Sequence, residues 1–311
     1  MSKRRLLVTG ARGFVGGTLI RAVASPLWAD RFDLVDFVDP QTAGAADLRD
    51  AEAVDRAIAA ARPDAVIHLA AIAAPRQAKD EPQTAWQVNL MGTFNLAQSV
   101  LRHAPAARFV FAGSSEAYGA AFNRSTAPLS EDAALEPMSP YGATKAAADI
   151  MLRQMASDGL QATIFRPFNH TGPGQLSAYV VPAFAGQVAR IEAGLQEPVL
   201  RVGNLEARRD FLDVRDIVDA YLRAADRDDL AAGETFNLST GAPVQIADIL
   251  ALLTGMARVP VTVEIDPDRY LPNSIPVMSG NSGKAQKLLG WSPVIPLTQT
   301  LADILDVIRQ K

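Results

Sequence analysis

The sequence predicts an α/β fold in which helices cover both faces of a parallel sheet. Three observations support this: short apolar runs, helical segments between them, and a glycine-rich turn after the first run. Strands that alternate with helices at this spacing are typical of parallel sheets, because each parallel connection needs a crossover. The predicted strands are RLLVTG (5–10), LVDFVD (34–39), AVIHLAA (65–71), RFVFAGS (108–114) and ATIFRPFN (162–169). The predicted helices are 15–25, 50–61, 83–103 and 141–157.

The composition excludes several classes of function. The chain has 311 residues, 49% of them hydrophobic, which is enough for a large core. A net charge of -4 argues against a nucleic-acid surface. With no Cys and 3 His, we predict no metal site. We find no run of about 18 apolar residues for a membrane span, and MSKRRLLVTG is too short for a signal peptide. We therefore expect a cytoplasmic protein with no membrane partner.

The segment VTGARGFVGG places three glycines between the first strand and the first helix. Gly10 would allow a tight turn, Gly13 would let the backbone approach a pyrophosphate, and Gly16 would let the helix pack closely on the strand. The start of the helix would offer free N–H groups to phosphate. We therefore predict a dinucleotide site in a Rossmann sheet, with a purely structural turn as the alternative. The predicted contacts in this loop are Gly10, Arg12, Gly13, Phe14, Val15 and Gly16.

The spacing G-x-x-G-x-x-G resembles the extended branch of the short-chain dehydrogenase/reductase superfamily, and this resemblance implies NAD(H) or NADP(H) as the cofactor. Asp39, at the end of the second predicted strand, could accept hydrogen bonds from the adenine ribose, which would favour NAD. Arg12 could instead meet the 2′-phosphate of NADP. We predict a slight preference for NAD.

Other cofactor contacts follow from the same resemblance. Asp47 and Leu48, in ADLRD, match the family position beside the adenine, although Asp47 could instead cap a helix. The remaining predicted cofactor contacts are Leu69, Ala70, Ala71, Tyr141, Lys145, Arg166 and Pro167.

The strand and helix alternation changes after Asn169, where loops rich in Gly and Pro follow at 171–182. We therefore predict two domains. The first is an NAD(P)-binding Rossmann domain of residues 1–168 with about 210–238. The second is a smaller α/β substrate-binding domain of residues 169–209 and 239–311.

Tyr141 and Lys145 are four residues apart on a predicted helix, so they share one face. A nearby ammonium lowers the pKa of a Tyr below its usual ~10, so the pair could act as an acid or base near neutrality. Ser114 ends the fourth predicted strand and could donate to a carbonyl oxygen. Together they resemble the Ser–Tyr–Lys set of the superfamily, in which Lys145 would also hold the nicotinamide ribose.

Two further residues near this set have open roles. In the extended-family dehydratases, a carboxylate at the position of Glu116 removes a proton from C5 of the sugar. Glu116 could therefore indicate dehydration, but Ser115–Glu116 differs from the Asp–Glu pair of the dTDP-glucose type. Asn89 matches a family Asn that supports the active-site helices, and it could equally be a buried structural residue.

Segments further along the chain resemble GDP-6-deoxy-4-keto-D-mannose reductases, most clearly RPFNHTGPGQ (166–175) and VGNLEARRDFLDVRDIVDAY (202–221). The resemblance implies hydride transfer from NAD(P)H to C4 of GDP-4-keto-6-deoxy-D-mannose. The product would be GDP-D-rhamnose or GDP-6-deoxy-D-talose. One alternative is a 4,6-dehydratase or 4-epimerase with tightly bound NAD(P). Another is a non-enzymatic Rossmann binding protein, which the presence of Tyr141 and Lys145 disfavours.

Substrate contacts follow from the same resemblance and from charge. Asn169 matches a position that binds the sugar-nucleotide phosphates, the planar fork of Arg209 suits a diphosphate, and Arg190 would approach the guanine. Many relatives carry Arg–Pro where this chain has Leu271–Pro272, so we expect Arg269 to substitute. The predicted substrate contacts are Ser115, Asn169, Val180, Arg190, Arg209 and Arg269.

The resemblance also implies a homodimer. Helices at 92–103 and 141–156 carry apolar faces that could form a four-helix interface. The alternative is that these faces pack only on their own sheet.

Overall fold

A computed structural model describes residues 2–270 and 274–310 of the chain, without the side chain of Arg269. Its strands, β1 to β15 in chain order, are Arg4–Thr9, Phe32–Val35, Val38–Asp39, Gly44–Ala45, Ala65–His68, Arg108–Ala112, Ala162–Pro167, Asn169–Thr171, Val199–Val202, Arg208–Arg209, Phe211–Asp213, Glu234–Leu238, Val244–Gln245, Thr262–Ile265 and Val277–Met278. Its α-helices, α1 to α11, are Phe14–Val23, Ala51–Ala61, Pro75–Asp80, Pro82–Trp86, Gly92–His103, Pro140–Ser157, Val180–Glu192, Val214–Ala225, Ile246–Gly255, Gly283–Leu289 and Leu297–Arg309.

Six parallel strands form the central sheet, in the order β12-β7-β6-β5-β1-β2. This arrangement confirms the predicted α/β class. Strand β12 was not predicted, because three of the five residues in its segment ETFNL are polar. The buried side chain of Asn237 is accommodated in the sheet because its amide group has two hydrogen-bond partners. These are the carbonyl oxygen of Leu129 and the hydroxyl of Tyr118.

The two faces of the sheet each have their own core. Along β1, Leu6 and Val8 join one hydrophobic cluster, whereas Leu7 joins the other. On β5, Ile67 and Val66 divide in the same way. Successive side chains of a strand point to opposite faces, so strands covered on both sides are apolar without a break. This explains why the predicted strands read as continuous apolar runs.

Two predicted elements have different bounds in the structure. The second strand ends at Val35, and Val38–Asp39 pairs antiparallel with Gly44–Ala45 outside the central sheet. The helix predicted over 83–103 is divided by a turn of π-helix at Gln87–Met91. In that turn the Asn89 side chain bonds to both backbone groups of Ile72, which favours the local widening.

A third hydrophobic cluster lies outside the two sheet cores. It includes residues of α7, α9 and α11, for example Val188, Leu253 and Leu301. By contrast, β12 and the buried residues of α8 belong to the central sheet and its core. The division into two domains stays a prediction. Among the described residues, no helix is long and apolar enough to cross a membrane.

Candidate functional site

A cleft of about 900 Å³ opens at the carboxyl ends of the central strands. Ligands of open parallel sheets bind at this end. The predicted residues that line it are Gly10, Arg12, Gly13, Phe14, Val15, Gly16, Leu69, Ala70, Ala71, Ser114, Ser115, Glu116, Tyr141, Lys145, Pro167, Asn169 and Arg209.

The glycine loop forms one wall of the cleft. Gly10 has φ +74°, and a Cβ there would lie 2.7 Å from the backbone nitrogen of Ala70, so the turn requires glycine. Gly13 is the N-cap of α1 and supplies no capping side chain. The first N–H groups of α1 therefore face the cleft without a side-chain acceptor, which fits a pyrophosphate.

Ser114, Tyr141 and Lys145 come together beside this loop. Ser114 and Tyr141 both line the cleft, and the backbone N–H of Glu116 donates to Ser114 Oγ at 3.1 Å. Lys145 Nζ donates to the carbonyl oxygen of Ala112 at 2.7 Å. Ala112, the last residue of β6, thus holds the Lys145 amine, and Ser114 follows two residues later.

The electrostatics of Tyr141 differ from the prediction. Its pKa is raised above the usual value by desolvation and by the charge of Glu116, although the nearby Ser114 hydroxyl opposes this rise. The expectation that Lys145 lowers the pKa of Tyr141 is wrong for this structure. The Lys145 ammonium instead lies on the Phe111 ring, 4.8 Å from its centroid, and bonds to a carbonyl. Tyr141 therefore holds its proton at neutral pH, as an acid must.

Glu116 is the central acidic group of the cleft. Burial raises its pKa, while a hydrogen bond from Ser139 and the charge of Arg209 oppose that rise. Ser139 Oγ donates to Glu116 Oε2 at 3.0 Å and accepts the N–H of Gly142 as the N-cap of α6. One hydroxyl thus holds both the carboxylate and the start of the helix that carries Tyr141.

We expect Lys145 to make stability depend on pH. Burial lowers its pKa from 10.5 to about 7. From pH 7 to 10.5 the unfolded chain holds a proton that the folded chain releases, so stability rises with pH there and is flat below about 7. Relative to Lys145→Met, the wild-type free energy of unfolding should increase by about 2 kcal/mol between pH 7 and 9. Urea unfolding of both proteins measures this, and a pH-independent difference would contradict the lowered pKa.

Two predicted cofactor contacts lie outside the cleft lining. Asp39 is buried, and both its carboxylate oxygens accept hydrogen bonds from Arg56, at 2.9 and 2.8 Å. The Arg56 guanidinium holds the pKa of Asp39 low, at about 2. Arg166 is 2% exposed and makes a two-point ion pair with Asp149. Because β7 alternates faces, Pro167 reaches the cleft and Arg166 points away from it.

Other predicted contacts are also placed elsewhere. Asp47 pairs with Arg49, and the helix cap considered for it is supplied by Asp50. Buried Leu48 and exposed Val180 do not line the cleft. Exposed Arg190 does not line the cleft either, and it donates to Gln196. The two predicted contacts on α7, Arg190 and Val180, are ten residues apart, about 15 Å along the helix. The prediction on Leu271–Pro272 and on the Arg269 side chain lies outside the described residues.

Three residues in or near the site were not predicted from the sequence. Ser139 and Tyr179 line the cleft, and the charge of Glu116 contributes to the raised pKa of Tyr179. Ser139 could have been predicted from the sequence as a helix cap, because a Ser followed by Pro often begins a helix. No pattern in the sequence pointed to Tyr179. Asp36, exposed, directly follows the true end of β2, the strand that pairs with β1, and the misplaced strand end concealed it.

The chain matches known proteins over nearly its whole length. The family model for GDP-mannose 4,6 dehydratase matches residues 37–304. A GDP-6-deoxy-D-mannose reductase of Pseudomonas aeruginosa is 34% identical over 310 residues, 97% of this chain and 96% of the relative. A UDP-glucose 4-epimerase of Mycolicibacterium smegmatis is 29% identical over 328 residues, 99% of each chain.

Solved structures give the same result. The structure of RMD from Pseudomonas aeruginosa complexed with NADPH superposes with a TM-score of 0.89 at 32% identity, covering 99% of this chain and 98% of the other. A UDP-glucose 4-epimerase of Thermus thermophilus in complex with NAD superposes with a TM-score of 0.81 at 27% identity, covering 98% of this chain and 99% of the other.

Proposed function

The chain belongs to the GDP-mannose 4,6 dehydratase family, within the extended short-chain dehydrogenases/reductases, and on that premise we propose that it reduces a nucleotide-activated 4-keto-6-deoxy sugar. The proposed substrate is GDP-4-keto-6-deoxy-D-mannose, and the product is GDP-D-rhamnose or its C4 epimer GDP-6-deoxy-D-talose. One observation carries the proposal. A protonated Tyr141 lies with Ser114 in the cleft of a chain that aligns from end to end with a reductase of this class.

Each residue of the site has a separate role in the proposed reduction. The bound nicotinamide supplies the hydride for C4. Tyr141 gives its proton to the oxygen that becomes the alkoxide, and its raised pKa ensures that the proton is present. Ser114 holds the same oxygen as a preorganised donor. Lys145, fixed by the Ala112 carbonyl, binds the ribose next to the nicotinamide.

The sugar nucleotide occupies the remainder of the cleft in this proposal. Asn169 and Arg209, from β8 and β10, line it. Burial lowers the pKa of Arg209, and the charge of Glu116 raises it, so the guanidinium stays cationic for a diphosphate. Ser115 and Tyr179 add hydroxyls near the sugar.

For the cofactor we propose that NADH is preferred over NADPH, with Asp36 in place of Asp39 as the discriminating residue. Asp36 follows the strand that pairs with β1, and β1 ends directly before Gly10. A carboxylate at that position accepts hydrogen bonds from a ribose 2′-hydroxyl and repels a 2′-phosphate. Arg12, exposed on the cleft wall, is the opposing cue.

We expect Asp36→Asn to change cofactor choice. Loss of the negative charge removes the repulsion of a 2′-phosphate, so the ratio of kcat/KM for NADPH to that for NADH should rise about tenfold. Steady-state kinetics with both cofactors measure the ratio. Asp33→Asn, an exposed residue within β2, is the matched control. An unchanged ratio in Asp36→Asn would remove Asp36 from cofactor recognition.

The second candidate function is dehydration or epimerisation, and Glu116 is the observation that favours it. We expect Glu116→Gln to lower reductase turnover by less than about tenfold, since the amide oxygen can still accept the Ser139 hydrogen bond. A dehydratase that uses Glu116 as its base would lose about 10³-fold or more.

The assay separates the candidates directly. A reductase oxidises added NADH or NADPH when GDP-4-keto-6-deoxy-D-mannose is supplied, which absorbance at the reduced nicotinamide band follows. No oxidation with either cofactor would refute the reductase proposal. Water loss from GDP-mannose without added cofactor would establish the dehydratase instead.

We also propose a homodimer. An apolar surface on the π-turn and helices α5 and α6 supports it, with Met91 50% and Ile150 54% exposed. Exposed apolar groups in one patch mark an interaction surface, and sedimentation equilibrium measures the mass of the assembly. The residues of this surface are Leu90, Met91, Phe94, Ala147, Ile150 and Met151.

A further inference from the structure

His68, at the end of β5, is a buried polar residue that the proposed chemistry does not use. It is 1% exposed. Its Nδ1 lies 2.6 Å from Thr9 Oγ1, and its Nε2 lies 2.9 Å from Thr93 Oγ1. Burial and the charge of Lys145 lower its pKa to about 3, so the ring is neutral at physiological pH.

The neighbouring hydrogen bonds determine which ring nitrogen carries the proton. The Thr93 hydroxyl donates its hydrogen to the carbonyl oxygen of Asn89 at 2.7 Å, so it must accept from His68 Nε2–H. A neutral imidazole has one N–H, so Nδ1 accepts the hydroxyl hydrogen of Thr9. The Thr9 oxygen accepts in turn from the N–H of Ala70 at 3.3 Å. These hydrogen bonds form a continuous path from Asn89 through His68 to Ala70, and each group along it is assigned as a donor or an acceptor.

On the first side, the path reaches the cofactor wall. Thr9 is the last residue of β1 and directly precedes Gly10, whose positive φ begins the glycine loop. Ala70 lies on the cleft, two residues after His68. His68 thus joins the ends of β1 and β5, and the glycine loop follows directly from the end of β1.

On the second side, the path reaches the helix of Tyr141. The Asn89 amide donates to Thr144 Oγ1 at 3.0 Å, and that hydroxyl donates to the carbonyl oxygen of Tyr141 at 2.8 Å. The His68 ring also packs on Phe111, with centroids 5.9 Å apart, and the Lys145 ammonium lies over the same Phe111 ring.

We propose that His68 is a positioning residue that holds the glycine loop through Thr9 and the helix of Tyr141 and Lys145 through Thr93. The proposal rests on the proposed function only for its second half, since cofactor binding is measurable without a sugar. Substitution of a buried histidine that merely fills the core would affect folding but would change neither NADH affinity nor kcat.

Two amide substitutions separate the links. The Asn amide reaches the position of Nδ1, and the Gln amide reaches that of Nε2. His68→Asn keeps the bond to Thr9 and loses that to Thr93. It should retain NADH affinity within about twofold and lower kcat at saturating cofactor by between about tenfold and a hundredfold. His68→Gln keeps the bond to Thr93, so it should weaken NADH binding about tenfold and largely preserve kcat.

Thr9→Val and Thr93→Val repeat the test without touching the ring, and carry it if the His68 variants fail to fold. Thr9→Val should resemble His68→Gln, and Thr93→Val should resemble His68→Asn. Thr163→Val is the matched control, because the Thr163 hydroxyl is buried and has no hydrogen-bond partner among the described residues. It should change neither property.

Calorimetry gives the NADH dissociation constant, steady-state kinetics give kcat, and circular dichroism corrects both for the folded fraction. If the variants keep wild-type affinity and kcat after this correction, His68 only packs the core. Equal loss of both properties in both amide variants would refute the separate links. If the wild type reduces no sugar, the proposed function fails, while the affinity of His68→Gln still decides the link to the glycine loop.

Discussion

Gly16→Ala is expected to abolish measurable NADH binding and to lower the free energy of unfolding by about 3 kcal/mol. A Cβ at this position would collide with the carbonyl oxygen of Gly10 and lie 2.7 Å from the Cα of Ala11. Both obstacles are backbone atoms of the glycine loop, so α1 would have to move away from it. Calorimetric titration with NADH and urea unfolding measure the two effects.

The neighbouring glycine provides the control. A Cβ at Gly17 has its nearest contact with the end of the Arg21 side chain, at 3.7 Å. Because Ala forms helices better than Gly, Gly17→Ala should keep NADH affinity and gain up to about 1 kcal/mol of stability. Comparable behaviour of the two variants would show that the close approach at Gly16 is unimportant.

Tyr141→Phe is expected to lower kcat by about 10³-fold with little change in NADH affinity. The variant removes the proton that the new alkoxide needs, while the ring stays in place. Its stability should be close to that of the wild type, since the removed hydroxyl lines the cleft. Single-turnover oxidation of NADH with the keto sugar measures the chemical step.

Tyr118→Phe is the matched control for this substitution. The Tyr118 hydroxyl is fully buried and bonds to Asn237 at 2.7 Å and to Arg166 at 3.0 Å. Its removal should cost about 1–3 kcal/mol of stability and leave kcat of the folded enzyme unchanged. A Tyr141→Phe enzyme that retains more than a tenth of wild-type turnover would exclude Tyr141 as the main acid.

Local patterns in the sequence were sufficient for much of the site. The glycine spacing between a strand and a helix predicted the loop at Gly10, and the four-residue spacing of Tyr141 and Lys145 placed both in the cleft. Each of these signals is contained within one or two neighbouring elements. The same holds for Ser114, because the end of a buried strand is visible as the end of an apolar run.

The remainder depended on contacts between distant segments. Arg166 lies on a strand whose facing is set by its neighbours, so the sequence did not reveal that it turns towards Asp149. Asp39 was assigned to the adenine ribose because it ends an apolar run, and its true partner, Arg56, is 17 residues away in the sequence. The pKa of Tyr141 was predicted in the wrong direction, since spacing on a helix does not show that the ammonium of Lys145 bonds to Ala112.

The π-turn at Gln87–Met91 has a consequence for the phase of the helices around it. Each residue of an α-helix advances by about 100° around the helix axis. One additional residue in the π-turn therefore rotates the side chains of α4 by about a quarter of a circle relative to those of α5. Helix α4 packs against α6, and α5 packs against both α2 and α6. A deletion of one residue in this turn would therefore leave a regular helix whose two halves cannot both face their partners.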